Sequence, residues 1–166
     1  ALDSITHSAA ISTCSKGGEW TKALGLLSGA ERRVAARSVV TYNAAIGACE
    51  QAGEWAITLE LFGSMLRSEL EATIVTCGAV VSACGQGGEW AKAVDLLVSM
   101  MRSRVRINTI TYIAAIFACG QPGEWTQALG LLRCMTQSRL DVNSTAYGAA
   151  LSACERGGVS KLSELL

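Results

Sequence analysis

Cys14, Cys49, Cys84, Cys119 and Cys154 stand at a constant step of 35 residues. The same step relates Trp20, Trp55, Trp90 and Trp125; Thr6, Thr41, Thr76 and Thr111; Gly18, Gly53, Gly88, Gly123 and Gly158; and Glu19, Glu54, Glu89 and Glu124. Residue types this varied, holding one register without an insertion, define a tandem repeat, and such units contact mainly their neighbours. The register divides the chain into units 4–38, 39–73, 74–108 and 109–143 and a partial unit 144–166, read as a single array over 1–166.

Within one unit, Ile74 to Gln86 carries small and apolar residues and breaks at Gly87-Gly88, a common helix stop. After the break, Trp90, Ala93, Val94, Leu97 and Met100 fall at i, i+3, i+4, i+7 and i+10, the stripe of an amphipathic helix with Glu89 at its dipole-favoured start. Each unit is therefore a hairpin of a helix A and a helix B. A single hairpin cannot bury both apolar faces, so the units must stack. The expected fold is all-α: an α-solenoid of helix-turn-helix hairpins wound into a right-handed superhelix, with helix A on the concave side. Half the residues are apolar but only 5% are aromatic, so the core is built from small aliphatics. Ala pairs such as Ala44-Ala45 and Ala114-Ala115 let neighbouring helices approach closely.

Fourteen basic residues balance fourteen acidic ones, so no long-range field gathers polyanions. No run reaches the roughly 18 apolar residues of a membrane-spanning helix, and the chain is not expected to be transmembrane. It opens at Ala1 in mid-pattern, so a piece of a longer chain is expected, any targeting peptide already removed. The last unit departs from the register, with Val159-Ser160 in place of Glu-Trp and Glu164 in the place of Leu129, as a polar cap or a truncated repeat would.

A 35-residue hairpin reading Val40-Thr41-Tyr42-Asn43-Ala44-Ala45-Ile46, then Cys49-Glu50-Gln51-Ala52-Gly53-Glu54-Trp55, with Leu59, Leu61-Phe62 and Met65 behind it, resembles the pentatricopeptide repeat family. The related tetratricopeptide pattern places its Trp and Tyr in the first helix, whereas these Trp lie in the second. The resemblance implies an organellar protein, of chloroplast or mitochondrion, that holds single-stranded RNA and reads one base per repeat with two or three side chains. It assigns base reading to Ser8 with Ser38, Asn43 with Thr73, Gly78 with Asn108, and Ile113 with Asn143, leaving Gly148 without a partner. Ile5, Val40, Val75 and Ile110 would flank the bases. Only Asn43 with Thr73 forms a usable pair, suggesting a pyrimidine; Gly78 has no side chain and Ile113 no hydrogen-bonding group, so the code is degraded.

The family's phosphate-facing Lys, late in helix A, corresponds here to Lys16, Gln51, Gln86, Gln121 and Arg156, so only Lys16 and Arg156 keep a charge. Stretches 74–88 and 109–123 hold no charged residue, while Arg32, Arg33, Arg37, Arg67, Lys92, Arg102, Arg104 and Arg106 gather in helix B and the linkers. Ile110, Ile113 and Phe117 form an apolar strip at i, i+3 and i+7, which marks a partner surface if exposed and core if one or two turn inward.

Register cysteines one helix spacing apart are too distant for disulfides, and no CxxC pair suggests zinc; they are expected to be buried, reduced thiols, with no metal. The four Trp, on the helix B stripe, are expected mostly in the core rather than stacked on bases. Glu19, Glu54, Glu89 and Glu124 compensate helix dipoles, and the Gly pairs lack the Lys-Ser or Lys-Thr of a phosphate loop. His7 is the single His, with no triad or metal set around it, so a non-enzyme without cofactor or small-molecule substrate is expected. Two functions remain: a single-stranded RNA-binding module, or a scaffold that contacts protein subunits of a larger organellar assembly through its neutral groove or its Arg-rich convex side.

Overall fold

The computed structural model describes residues 4–31, 38–102 and 107–158. Among these lie nine α-helices and no strand: α1 (Ser4–Lys16), α2 (Trp20–Glu31), α3 (Val39–Gln51), α4 (Trp55–Arg67), α5 (Ile74–Gln86), α6 (Trp90–Arg102), α7 (Thr109–Gly120), α8 (Trp125–Gln137) and α9 (Ser144–Arg156). Odd-numbered helices are helix A of each repeat and even-numbered ones helix B. The odd helices begin 35 residues apart, and each register Trp is the first residue of an even one. Arg32, Arg33, Arg37, Arg104, Arg106, Val159, Ser160 and Glu164 lie outside the described residues. No described helix is long and apolar enough to cross a membrane.

The register residues build the A-to-B turn. In the second repeat, Gly53 takes φ +75° and donates to the Glu50 carbonyl at 3.1 Å, while Glu54 donates to the Cys49 carbonyl at 2.9 Å. This is the Schellman arrangement, which satisfies the last carbonyls of a helix and needs a residue that tolerates the left-handed region. Glu19, Glu89 and Glu124 repeat the bond to Cys14, Cys84 and Cys119, at 2.9, 2.8 and 3.0 Å. Cys, Gly and Glu thus recur together because they occupy fixed places in one turn. Glu54 and Glu124 stand at the N-caps of α4 and α8, yet neither side chain caps the backbone. Glu89 instead pairs with Lys92 at 3.2 Å, and Glu19 with Lys22, both exposed pairs of small energetic weight.

The B-to-A turn uses the same arrangement without glycine. Glu69 (φ 57°) and Arg139 (φ 55°) adopt the left-handed region, and Leu70 and Leu140 donate back to the carbonyls of Met65 and Met135 at 3.3 and 3.2 Å. A polar side chain then starts each following helix A, and it sits three residues before the register Thr or its replacement. Ser38 Oγ accepts from the Thr41 amide at 3.1 Å, Thr73 Oγ1 from Thr76 at 3.3 Å, Asn108 Oδ1 from Thr111 at 2.9 Å and Asn143 Oδ1 from Ala146 at 3.0 Å. Such N-caps contribute about 1 kcal/mol each.

The helices form two compact units, Ala1–Ala83 and Cys84–Leu166, the boundary falling inside α5. In the first, α1 packs on α2 and α3, and α3 on α4, around Ile11, Tyr42, Ile46 and Met65, all essentially inaccessible. The Tyr42 hydroxyl lies 3.3 Å from Ser64 Oγ and 3.4 Å from Ser68 Oγ, which satisfies a polar tip brought into the core. In the second, α7 packs on α6, α8 and α9 around Leu97, Tyr112, Ile116 and Met135. A Cβ at Gly85 would lie 3.1 Å from Ala118 Cβ, so the small residues do set the helix approach there.

Two expectations change. The four Trp are half-buried rather than mostly core, because each sits on the first residue of helix B, at the rim beside the turn. Trp125, for example, lies against the α9 turn, its Cδ1 only 2.4 Å from where a Cβ on Gly157 would be. Among the register cysteines, Cys49, Cys84, Cys119 and Cys154 are buried, whereas Cys14 is half-exposed. Burial raises the thiols of Cys49 and Cys119, and of the off-register Cys77, to about 11, so they are neutral and unreactive near pH 7.

Candidate nucleic-acid interface

The first turn of four helices A presents an aliphatic side chain to solvent. Ile5, Val40, Val75 and Ile110 are 76, 62, 64 and 72% exposed, each one residue before the register Thr. Thr41, Thr76 and Thr111 point the other way and are buried. The exposed aliphatics therefore lie on the opposite side of the helix from the core, where no packing requirement of the described residues accounts for them.

Beside this row stand the N-cap residues. Asn108 Oδ1 accepts from both the amide and the hydroxyl of Thr111, at 2.9 and 2.8 Å. Both lone-pair directions of that oxygen are used, so the amide nitrogen is the group left for a ligand, and it can only donate. The same cap leaves Asn143 with its nitrogen unbonded among the described residues. Ser38 Oγ is shared with the Thr41 hydroxyl at 2.7 Å. Ser38, Thr73, Asn108 and Asn143, assigned to base reading by the resemblance, therefore also cap helices, a task that a Ser, Thr or Asn just ahead of a helix itself signals.

Asn43, the one side chain expected to read a base with its partner, is already engaged. Its amide nitrogen donates to Thr73 Oγ1 at 3.3 Å, its oxygen accepts from the Thr76 hydroxyl at 2.6 Å, and the two threonine hydroxyls lie 2.9 Å apart. One amide hydrogen and one lone pair remain for a ligand. The contact also shows that residues 30 apart in register, on successive repeats, are neighbours. Ser8 and Gly78 lie half-buried on the same face of their helices, and the Ser8 hydroxyl donates to the Ile5 carbonyl at 2.9 Å.

The row later in helix A carries little charge. Lys16 is exposed, but Arg156 donates to the Gly120 carbonyl at 3.3 Å and to Gln121 Oε1 at 3.0 Å, so its guanidinium is partly committed to the protein. Gln51 accepts from the Ser15 hydroxyl at 3.4 Å, and Ser82 donates to Glu50 at 2.8 Å, which sets a carboxylate among these groups. Of the apolar strip on α7, Ile110 and Phe117 are exposed and Ile113 is half-buried, so the strip faces solvent rather than core. His7 is buried. Among the described residues no cluster of His, Cys, Asp and Glu has the arrangement of a metal site.

A family profile described as a pentatricopeptide repeat domain matches residues 26–87, and a second, described as a PPR repeat, matches residues 75–105. The chain belongs to the pentatricopeptide repeat family. No curated protein matches it by sequence. Among solved structures, nuclear proteinaceous RNase P 2 from A. thaliana superposes with a TM-score of 0.84 at 14% identity, over 99% of this chain and 37% of that one. The pentatricopeptide repeat protein PPR10 from maize, in its complex with an 18-nt psaJ RNA element, gives 0.80 at 22% identity over 98% and 25%. The PPR domain of Arabidopsis thaliana protein-only RNase P 1, in complex with tRNA, gives 0.80 at 19% identity over 90% and 79%. These likenesses establish the pentatricopeptide fold. The chain spans well under half of the first two proteins and matches the repeat portion of the third.

Proposed function

We propose that this pentatricopeptide array is a non-catalytic module that holds single-stranded RNA along the exposed face of its odd-numbered helices, by apolar contact with the bases more than by phosphate charge. The observation that carries the reading is that Ile5, Val40 and Val75 in the first unit, and Ile110 in the second, are each exposed at the same place of the 35-residue register. A ligand matched to it must itself repeat, with apolar faces and polar edges, and a single strand of nucleic acid has that form. RNA-bound relatives of the same fold support it. Base reading follows the sequence assignments: Ser8 with Ser38, Asn43 with Thr73, Gly78 with Asn108, Ile113 with Asn143. The caps turn Asn108 and Asn143 into donors, favouring base edges that present an acceptor. Lys16 remains the phosphate contact of the row, and Arg156 joins it only by releasing Gln121.

The uncharged face of α7 favours a second reading, a scaffold that contacts protein subunits through Ile110, Ile113 and Phe117. A salt titration of RNA affinity separates the two. Each phosphate neutralised contributes about −0.7 to the slope for a single strand, so measurable binding with a slope near −1 is expected. Val40→Asp with Val75→Asp should abolish it by placing carboxylates among the bases. No binding at low salt, or no effect of the paired Asp substitutions, refutes the RNA reading. An organellar location is part of this proposal. One protein of the same fold is described as nuclear, so imaging of the tagged full-length protein is the test.

A further inference from the structure

Phe117 is 54% exposed in the middle of α7, and its register partners are Ser12, Gly47, Ser82 and Ser152. The repeat therefore folds around a small residue at this place, and the ring is not needed for packing. One turn earlier stands Ile113, half-buried, where the second repeat has Asn43. The register neighbour of Ile113 is Asn143, just as Thr73 lies beside Asn43 at 3.3 Å. Its oxygen is held by the α9 amide and its nitrogen is unbonded among the described residues. On the next helix A, α9, the places of Ile113 and Phe117 are taken by Gly148 and Ser152, and a Cβ on Gly148 would meet nothing within 4 Å. An exposed aromatic ring thus stands on a helix without charge, with Asn143 at the register place that Thr73 holds beside Asn43.

We propose that the fourth repeat, residues 109–143, holds its nucleotide by stacking a base on Phe117 and Ile113, with the Asn143 amide as its single donor, and so accepts bases with little discrimination. This rests on the RNA reading of the same face. A flat neutral base fits the geometry: the ring takes its face, the amide meets one acceptor on its edge, and all four bases carry an acceptor. A phosphate finds no cation on α7, and the corresponding places on α9 are Gly148 and Ser152, which offer no matching apolar side chains to a partner helix. Where Asn43 can read an edge, this repeat replaces reading by area, since every base has a stacking face.

The test measures fluorescence anisotropy of labelled oligoadenylate, oligocytidylate and oligouridylate with wild type, Phe117→Ser, Phe117→Leu and Phe117→Trp. Ser is the residue of three register partners, so the fold is retained, and circular dichroism checks it. Phe117→Ser should weaken binding of all three strands by a similar factor, on the order of 5- to 100-fold. Leu should lose nearly as much because it lacks the ring, and Trp should hold affinity and change its fluorescence on binding. Unchanged affinity in Phe117→Ser overturns the stacking assignment while leaving the RNA reading intact. A loss confined to one homopolymer overturns the tolerance. Absence of RNA binding in wild type, with Phe117→Ser releasing a protein partner, overturns both and assigns the ring to a protein interface.

Discussion

Asn43→Ala is the substitution whose outcome the structure changes most, because a residue assigned to base reading is also a structural link. The substitution removes the 3.3 Å bond to Thr73 and the 2.6 Å bond from Thr76. At about 0.5–1.5 kcal/mol for each neutral bond, the loss is about 1–3 kcal/mol. Thr76 is buried, but its hydroxyl keeps Thr73 Oγ1 at 2.9 Å, so no polar group is stranded and the larger desolvation penalty does not apply. Asn43 lies inside α3, where Ala is the better helix former by about 0.5 kcal/mol. The net destabilisation should be about 0.5–2.5 kcal/mol by urea unfolding followed with circular dichroism. Asn43→Asp keeps an acceptor for Thr76, and Thr73 can reverse its hydroxyl to donate, so most of the stability should remain. A double-mutant cycle of Asn43→Ala with Thr76→Val should show coupling of at least about 0.5 kcal/mol. Stability unchanged in Asn43→Ala, or no coupling to Thr76, refutes the network and returns Asn43 to the role of a free reader.

Two further substitutions compare the same backbone angle in different surroundings. Gly53→Ala, where nothing lies within 4 Å of the new Cβ, should cost about 1 kcal/mol for its φ of +75°. Gly123→Ala should cost about 2–4 kcal/mol, because its Cβ would also lie 2.9 Å from Gly157 N and 3.0 Å from the Arg156 carbonyl carbon. Equal midpoints in urea would contradict that close approach. For the thiols, burial raises Cys49, Cys77 and Cys119 from 9.0 to about 11. Their contribution to stability is therefore complete below about pH 9 and lost as pH rises through about 11. Native alkylation near pH 8 should label half-exposed Cys14 and Cys134 first and the three buried thiols only in urea; rapid native labelling of all would refute their burial.

The fold was legible because a repeat turns local signals into a register. Gly53 or Glu54 alone is an ordinary turn residue; five copies of the glycine at one spacing identify a fixed turn, and the helix starts at Val39, Ile74, Thr109 and Ser144 follow from it. The burial of Trp was less legible, since periodicity assigns a face but not a depth along the helix. Trp90 and Leu97 share the apolar stripe of α6, yet Leu97 is buried at the centre while Trp90 occupies the rim beside the turn. Register likewise could not show that Glu69 and Arg139 carry a left-handed conformation, because the positions are set by the returning Leu70 and Leu140 bonds rather than by their own chemistry.

At the candidate site, the sequence names positions but not the availability of their hydrogen-bonding groups. Ile5, Val40, Val75 and Ile110 are exposed. A side chain that starts a helix, however, has one oxygen already in use, and this decides what it can offer. What remains unbonded is a donor on Asn108 and the capacity that Thr73 and Thr76 leave on Asn43, while the Arg156 guanidinium is shared with Gly120 and Gln121. Each of these residues serves the fold before it serves a ligand. If this face holds RNA as proposed, binding strength comes first from the exposed aliphatics and Phe117, most of whose surface is open to solvent, and selectivity from the few polar groups that capping leaves over.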